Sequence, residues 1–312
     1  MYIEQGYKGN IGLWKYFVIP LAFIAFMGLN YVATVTSPVS VEDAMAQIID
    51  QLGSNLVLFI LLAPLAVGLL VVLAWTRWVH WQSITSLTTS RKKIDWKRIL
   101  FAFTFWGGIT ILLTGMDIYL SPDDYVLNFD MAKFIPLAII AIILIPMQTS
   151  FEEYLFRAHM MQGLGIMAKN KWVPLVITSV LFGLMHIANP EVEKLGYGIL
   201  IYYVGTGFFL GILTLMDEGL ELALGFHAAN NLITALLVTA DWTAFQTHSI
   251  YKDISEPAMG WDVVVPVFVV YPILLLIFSR KYGWKNWKER LFGRVMTREE
   301  FVALTDGESN MA

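Results

Sequence analysis

The sequence predicts an all-α fold, a polytopic membrane bundle of about eight transmembrane helices with both termini in the cytoplasm. Hydrophobic residues make up 57% of the chain and charged residues only 15%, against about 25% charged in ordinary soluble domains. Apolar runs near the length of about 20 residues needed to cross a bilayer recur from end to end. Open loops and sheet edges are not viable in lipid, so these runs are helices. Lysine and arginine, in turn, gather between alternate runs and set an orientation.

The candidate spans are residues 14–35, 55–76, 99–120, 132–156, 172–189, 196–216, 219–240 and 261–279. The first holds the apolar run from Tyr16 to Val35. Ala44-Met45-Ala46 resembles a signal cleavage site but lies well beyond its end, so the helix is expected to be retained. The second, third and eighth are the clearest. Pro146 is placed to kink the fourth. Only the tight turn MDEGLE separates the sixth from the seventh, which predicts an antiparallel hairpin. Gly207 and Gly211, four apart on the sixth, predict close helix packing. Of the 21 lysines and arginines, all but Lys133, Lys194 and Lys252 fall on one side of this arrangement. The positive-inside rule makes that side the cytoplasm. Residues 1–280 are the bundle, and residues 281–312 are a basic cytoplasmic tail. Trp284, Trp287, Leu291 and Val295 recur there at helical spacing, as in an amphipathic helix on the inner leaflet. A solvated charged tail is the alternative.

Composition excludes several chemistries. The chain has no cysteine, hence no disulfides, no thiolate zinc site and no thiol nucleophile. The net charge of −4 is small, and no nucleic-acid signature is present.

Three polar motifs interrupt the spans. Phe151-Glu152-Glu153-Tyr154-Leu155-Phe156-Arg157-Ala158-His159-Met160 closes the fourth. Glu153 and Arg157 are four apart, so they share a helix face and can pair. Glu152 is turned about 100° away, on the face of Phe156 and His159. A carboxylate left over in a medium of low dielectric suits a general base; charges snorkelling to the headgroups are the alternative. The fifth span carries Phe182 and His186, and the seventh His227 and Asn231, again four apart. A packing histidine and an interhelical amide are the bland readings of these. Taken together the residues suit hydrolysis. A carboxylate and a histidine activate water, and a second histidine and an amide donate to the oxyanion. The same set could instead hold a divalent metal with an open position. No His-Glu-x-x-His helix and no nucleophile-elbow serine is present.

In order and spacing, Glu152-Glu153-x-x-x-Arg157, Phe182-x-x-x-His186 and His227-x-x-x-Asn231 resemble the motifs of the CPBP family. These are type II CAAX prenyl proteases and bacteriocin-processing enzymes, also called the Abi domain. The resemblance covers residues 130–240 and implies an intramembrane endopeptidase open to the cytoplasm, acting on a peptide or protein tail. It implies Glu152 and His186 as the water-activating pair and His227 with Asn231 as the oxyanion site. Glu153–Arg157 is then a structural ion pair and Phe182 a packing residue. Family members are commonly labelled metalloproteases, and a metal-free glutamate mechanism is also argued. No metal ligand is assigned from this sequence; a divalent ion such as zinc would fall to Glu152, His186 and His227. A bacterial inner membrane is the expected location. A non-proteolytic transporter or bacteriocin-immunity factor, using the cluster for binding or proton relay, is the alternative.

A depth problem remains. At about 1.5 Å per residue, Glu152 lies near the inner face, while His186 lies about 20 Å along the fifth helix from Trp172. They meet only if the fifth helix begins below the membrane plane or the fourth enters deeper than hydropathy indicates.

Overall fold

The computed structural model describes residues 1–309. Its helices follow the apolar runs: α1 (Lys15–Thr36), α2 (Val41–Leu52), α3 (Ser54–Trp78), α4 (Ile84–Thr88) and α5 (Trp96–Leu120). The Asp130 carboxylate then caps α6 (Met131–Glu152) by accepting from the Ala132 N–H at 2.9 Å. After α6 the helix does not stop. It passes through a π-helical stretch, Glu153–Met160, into α7 (Met161–Ala168), giving one rod of 38 residues. The chain returns through α8 (Trp172–Leu184), α9 (Pro190–Leu195), α10 (Leu200–Asp217) and α11 (Glu221–Leu237). It ends in α12 (Trp261–Val265), a second π-helical stretch at Pro266–Val270, α13 (Tyr271–Tyr282), α14 (Trp287–Phe292) and α15 (Arg298–Ser309). At the end of the bundle away from α7, β1 (Tyr125–Leu127) pairs antiparallel with β3 (Tyr251–Asp253), which pairs parallel with β2 (Val238–Thr239).

Among the described residues, six helices are long and apolar enough to cross a membrane. Two of the eight expected spans take another form. α8 has 13 residues and α11 has 17, short of the roughly 20 that a full crossing needs. α11 also carries Glu221, His227, Asn230 and Asn231, and it is buried from Glu221 to Ala229. A helix enclosed by its neighbours does not need lipid-grade hydropathy. On the outside, large apolar side chains such as Phe26, Leu70, Leu112, Ile142 and Phe268 are more than half exposed. That surface is suited to acyl chains and would be a liability in water.

With no hydrophobic drive between helices in lipid, close approach through small residues holds them together. A Cβ on Gly207 would sit 2.5 Å from the Ser179 carbonyl oxygen, so α10 and α8 touch backbone to backbone. Gly225 lies closer still to the Ile99 carbonyl, joining α11 to α5. The MDEGLE turn is as tight as its spacing indicates, with Glu218 in the left-handed region (φ 59°) before Gly219.

The tail does not lie out as one amphipathic helix. Gly283 and Asn286 adopt positive φ and break it. Trp284, Leu291 and Val295 are buried in the main core. Their stripe therefore faces the protein and not a leaflet. The Tyr7 hydroxyl donates to the Met296 carbonyl at 2.8 Å, so the first residues and the tail meet at the same end of the bundle.

Candidate active site

The long rod settles the depth problem. From Glu152 the helix continues 16 residues to Ala168, about 24 Å, and α8 climbs back 14 residues from Trp172 to His186, about 21 Å. The fifth helix begins well beyond the level at which hydropathy ends the fourth, so Glu152 and His186 come to the same height. Hydropathy missed the extension because α7 packs against residues Ile3–Lys8 and α8 and needs no lipid-facing surface.

The π-helical stretch changes which side chains share a face. Its i→i+5 bonds widen the turns, a distortion frequent at functional sites. The face expected to join Glu152 to His159 is not kept. His159 packs against Tyr16 and His80, with ring centroids 5.2 Å from each, away from the other motif residues. Glu153 and Arg157 do meet, with Nη1 donating to Oε1 at 3.1 Å and both side chains fully buried. Arg157 also donates through Nη2 to the Gly207 carbonyl at 3.3 Å and lies 4.0 Å over the Phe182 ring. The close α8–α10 packing is what brings that carbonyl within reach.

Glu153 does more than pair with arginine. Its Oε1 also accepts from His227 Nδ1 at 2.8 Å, a contact spanning 74 residues. With Nδ1–H directed at the carboxylate, His227 turns Nε2 toward Glu152, whose Oε2 is 3.6 Å away. His227 is thus held between the two glutamates. The other oxygen of Glu152, Oε1, accepts from Gln148 Nε2 at 2.6 Å. Unlike Glu153, Glu152 keeps some access, with 13% of its side chain exposed.

His186 lies in the turn just after α8. Its Nδ1 is 2.9 Å from the Phe182 carbonyl, so Nδ1–H donates there and Nε2 is left as an acceptor. The ring stacks on Tyr203 at 4.2 Å and 10°. Phe182 is the wall between Arg157, His186 and His227, with ring centroids 5.1 Å from His186 and 5.9 Å from His227. Asn231 Nδ2 reaches Gln148 Oε1 at 3.5 Å. The glutamates, His227 and Asn231 therefore form one connected network, while His186 stands across the Phe182 ring with no direct bond to Glu152. Sequence reasoning did not single out Gln148 or Tyr203. Gln148 was visible as a lone amide four residues before Glu152 in an apolar run; Tyr203 carried no signal.

The residues do not fit a resident metal in this arrangement. Among the described residues no three His, Asp or Glu side chains converge as ligands.

A membrane bundle that gathers a buried carboxylate, an arginine and two histidines around the partly exposed Glu152 has the residues of an intramembrane hydrolase. Residues 131–233 match the family described as type II CAAX prenyl endopeptidase, Rce1-like. An uncharacterized protein, YyaK of Bacillus subtilis (strain 168), is 30% identical over 242 residues, which cover 74% of this chain and 80% of that relative. No solved structure matches the chain. The chain belongs to the Rce1-like family of CAAX-type intramembrane proteases and is an integral, multi-pass membrane protein. A bacterial inner membrane fits the Bacillus relative.

Proposed function

We propose that this protein hydrolyses a peptide bond in a membrane-associated peptide or protein tail, with Glu152 as general base and water as nucleophile. The observation that carries this reading is the asymmetry of Glu152. One oxygen is held by Gln148 at 2.6 Å, and the other is open opposite His227 Nε2. Glu152 removes a proton from water while His186 Nε2, an acceptor, orients the same water. The water oxygen attacks the scissile carbonyl carbon. Asn231 Nδ2–H and, in its imidazolium form, His227 Nε2–H donate to the oxyanion. The C–N bond then breaks, and the proton on Glu152 passes to the leaving amine. Glu153 accepts from His227 Nδ1–H and so orients the ring with Nε2 toward the site, and Arg157 pairs with Glu153.

The test is cleavage by purified protein in detergent of two internally quenched peptides, one ending in a prenylated CAAX tail and one its unprenylated counterpart, with products identified by mass spectrometry. Wild type should cut at least one at a single bond, and Glu152→Gln should cut neither at a comparable rate. Binding without cleavage by the wild type would sink the proposal.

The same reading places the substrate's approach on the cytoplasmic side, supported by the lysine and arginine bias. Because the chain lacks cysteine, single cysteines report topology directly. A cysteine at Lys92 in spheroplasts should resist a membrane-impermeant maleimide, and one at Asp123 should react; the opposite pattern reverses the orientation.

A further inference from the structure

The Glu152 carboxylate is the end of a hydrogen-bonded chain that begins on another helix. Trp106 Nε1 on α5 donates to Asn230 Oδ1 at 3.1 Å. Asn230 Nδ2 donates to Asn231 Oδ1 at 3.1 Å. Asn231 Nδ2 donates to Gln148 Oε1 at 3.5 Å, and Gln148 Nε2 donates to Glu152 Oε1 at 2.6 Å. An indole N–H can only donate, and an ionised carboxylate can only accept. These two ends fix the direction of the three amides between them. Turning any one of them would set N–H against N–H or oxygen against oxygen.

We propose that Trp106, Asn230 and Gln148 are positioning residues that set the polarity of the site. The relay commits Gln148 to donate to Glu152. It also commits Asn231 to present its second N–H, and not its carbonyl, to the oxyanion. The cost of breaking it falls on the chemical step, because a turned Asn231 or Gln148 places an oxygen where negative charge is held or develops. This rests on the proposed roles of Glu152 and Asn231. The relay crosses three helices (α5, α11 and α6), so it also ties their register to the chemistry.

Asn230→Asp tests it with almost no change in shape. A carboxylate at 230 still accepts from Trp106 but cannot donate to Asn231. Asn231 then turns its amide toward position 230, and Gln148 turns with it. The expected result is a fall in kcat of about 100-fold with KM within about 2-fold. Trp106→Phe keeps an aromatic ring against Phe226, which stacks on Trp106 at 4.6 Å, and removes the N–H together with part of the indole; kcat should fall about 3- to 10-fold. Gln148→Met removes the last link and should lower kcat about 10- to 100-fold. Trp106 bonds to Asn230 and Gln148 to Glu152 and Asn231, so independent effects would multiply. The relay requires instead that the loss in the double variant depart from the product of the single losses, because Trp106 through Asn230 and Gln148 directly both hold the orientation of Asn231. Multiplicative losses, or an Asn230→Asp enzyme with wild-type kcat, overturn the relay while leaving the role of Glu152 intact. A Glu152→Gln enzyme of wild-type activity, or a wild type that cuts neither peptide, overturns the catalytic reading and the relay with it. Melting temperatures of each variant separate a loss of fold from a loss of kcat.

Discussion

At the α7 end of the bundle, Asp217 and Glu221 are buried like Glu153, yet every one of their carboxylate oxygens is engaged. Asp217 pairs with Arg91 at 3.0 Å and with Arg98, and accepts from Trp284 Nε1 at 3.1 Å. Glu221 pairs with Arg91 at 3.1 Å and accepts from the Asp95 N–H at 3.2 Å. This cluster ties the α10–α11 turn to the segment before α5 and to the tail. The motif cluster is built from the same residue types and left incomplete. Among the described residues, Glu153 Oε2 and Arg157 Nε have no partner, and Glu152 Oε2 has only the 3.6 Å approach of His227. Buried polar groups are normally satisfied, so an unsatisfied one needs an explanation. Saturated carboxylates hold helices in register; an open one is available to water and substrate.

The largest effect should come from the open carboxylate. Glu152→Gln keeps the shape and the Gln148 contact but removes the base. The rate should fall about 10²–10⁴-fold with the melting temperature unchanged, as read by peptide cleavage and thermal unfolding in detergent. Full activity in this variant would erase the contrast between the clusters.

Next comes Glu153→Gln, which leaves Arg157 as an unpaired buried charge. That defect costs about 3–5 kcal/mol and should be seen as poor expression and a lowered melting temperature. The charge swap Glu153→Arg with Arg157→Glu should recover part of the stability. It should recover no activity, because His227 Nδ1 would then face a guanidinium. A swap that restores cleavage would show that the Glu153–His227 bond is incidental.

In the saturated cluster the signature should reverse. Asp217→Asn weakens charge-assisted bonds worth about 1.5–3 kcal/mol, lowering the melting temperature while kcat per folded molecule stays near wild type. A matching loss of kcat would mean that the two clusters are coupled through α11.

The last effect concerns neither cluster. His80 lies past the end of α3, and burial, with the nearby Lys15 charge second, pushes its imidazole down to about 4. The unfolded chain takes up that proton near 6.5. Between these values the unfolded state binds more protons, so stability falls as pH is lowered from about 6.5 to about 4. Melting curves across that window should show the decline, and His80→Phe should flatten it.

The sequence by itself determined what depends on neighbours along one helix. Long apolar runs made the helices. Four-residue spacing put Arg157 beside Glu153 and His186 beside the Phe182 carbonyl, and MDEGLE made a tight turn, because local geometry depends on local spacing. Tertiary structure decided the rest. Hydropathy could not follow the fourth helix past its lipid-facing part to Ala168, where protein packing replaces lipid. Periodicity assumed an even α-helix and so put His159 with Glu152, which the π-helical stretch undoes. The bonds from Glu153 to His227, and from Trp106 through Asn230, Asn231 and Gln148 to Glu152, depend on the register between helices. Close glycine contacts set that register, and no spacing within a single helix encodes it.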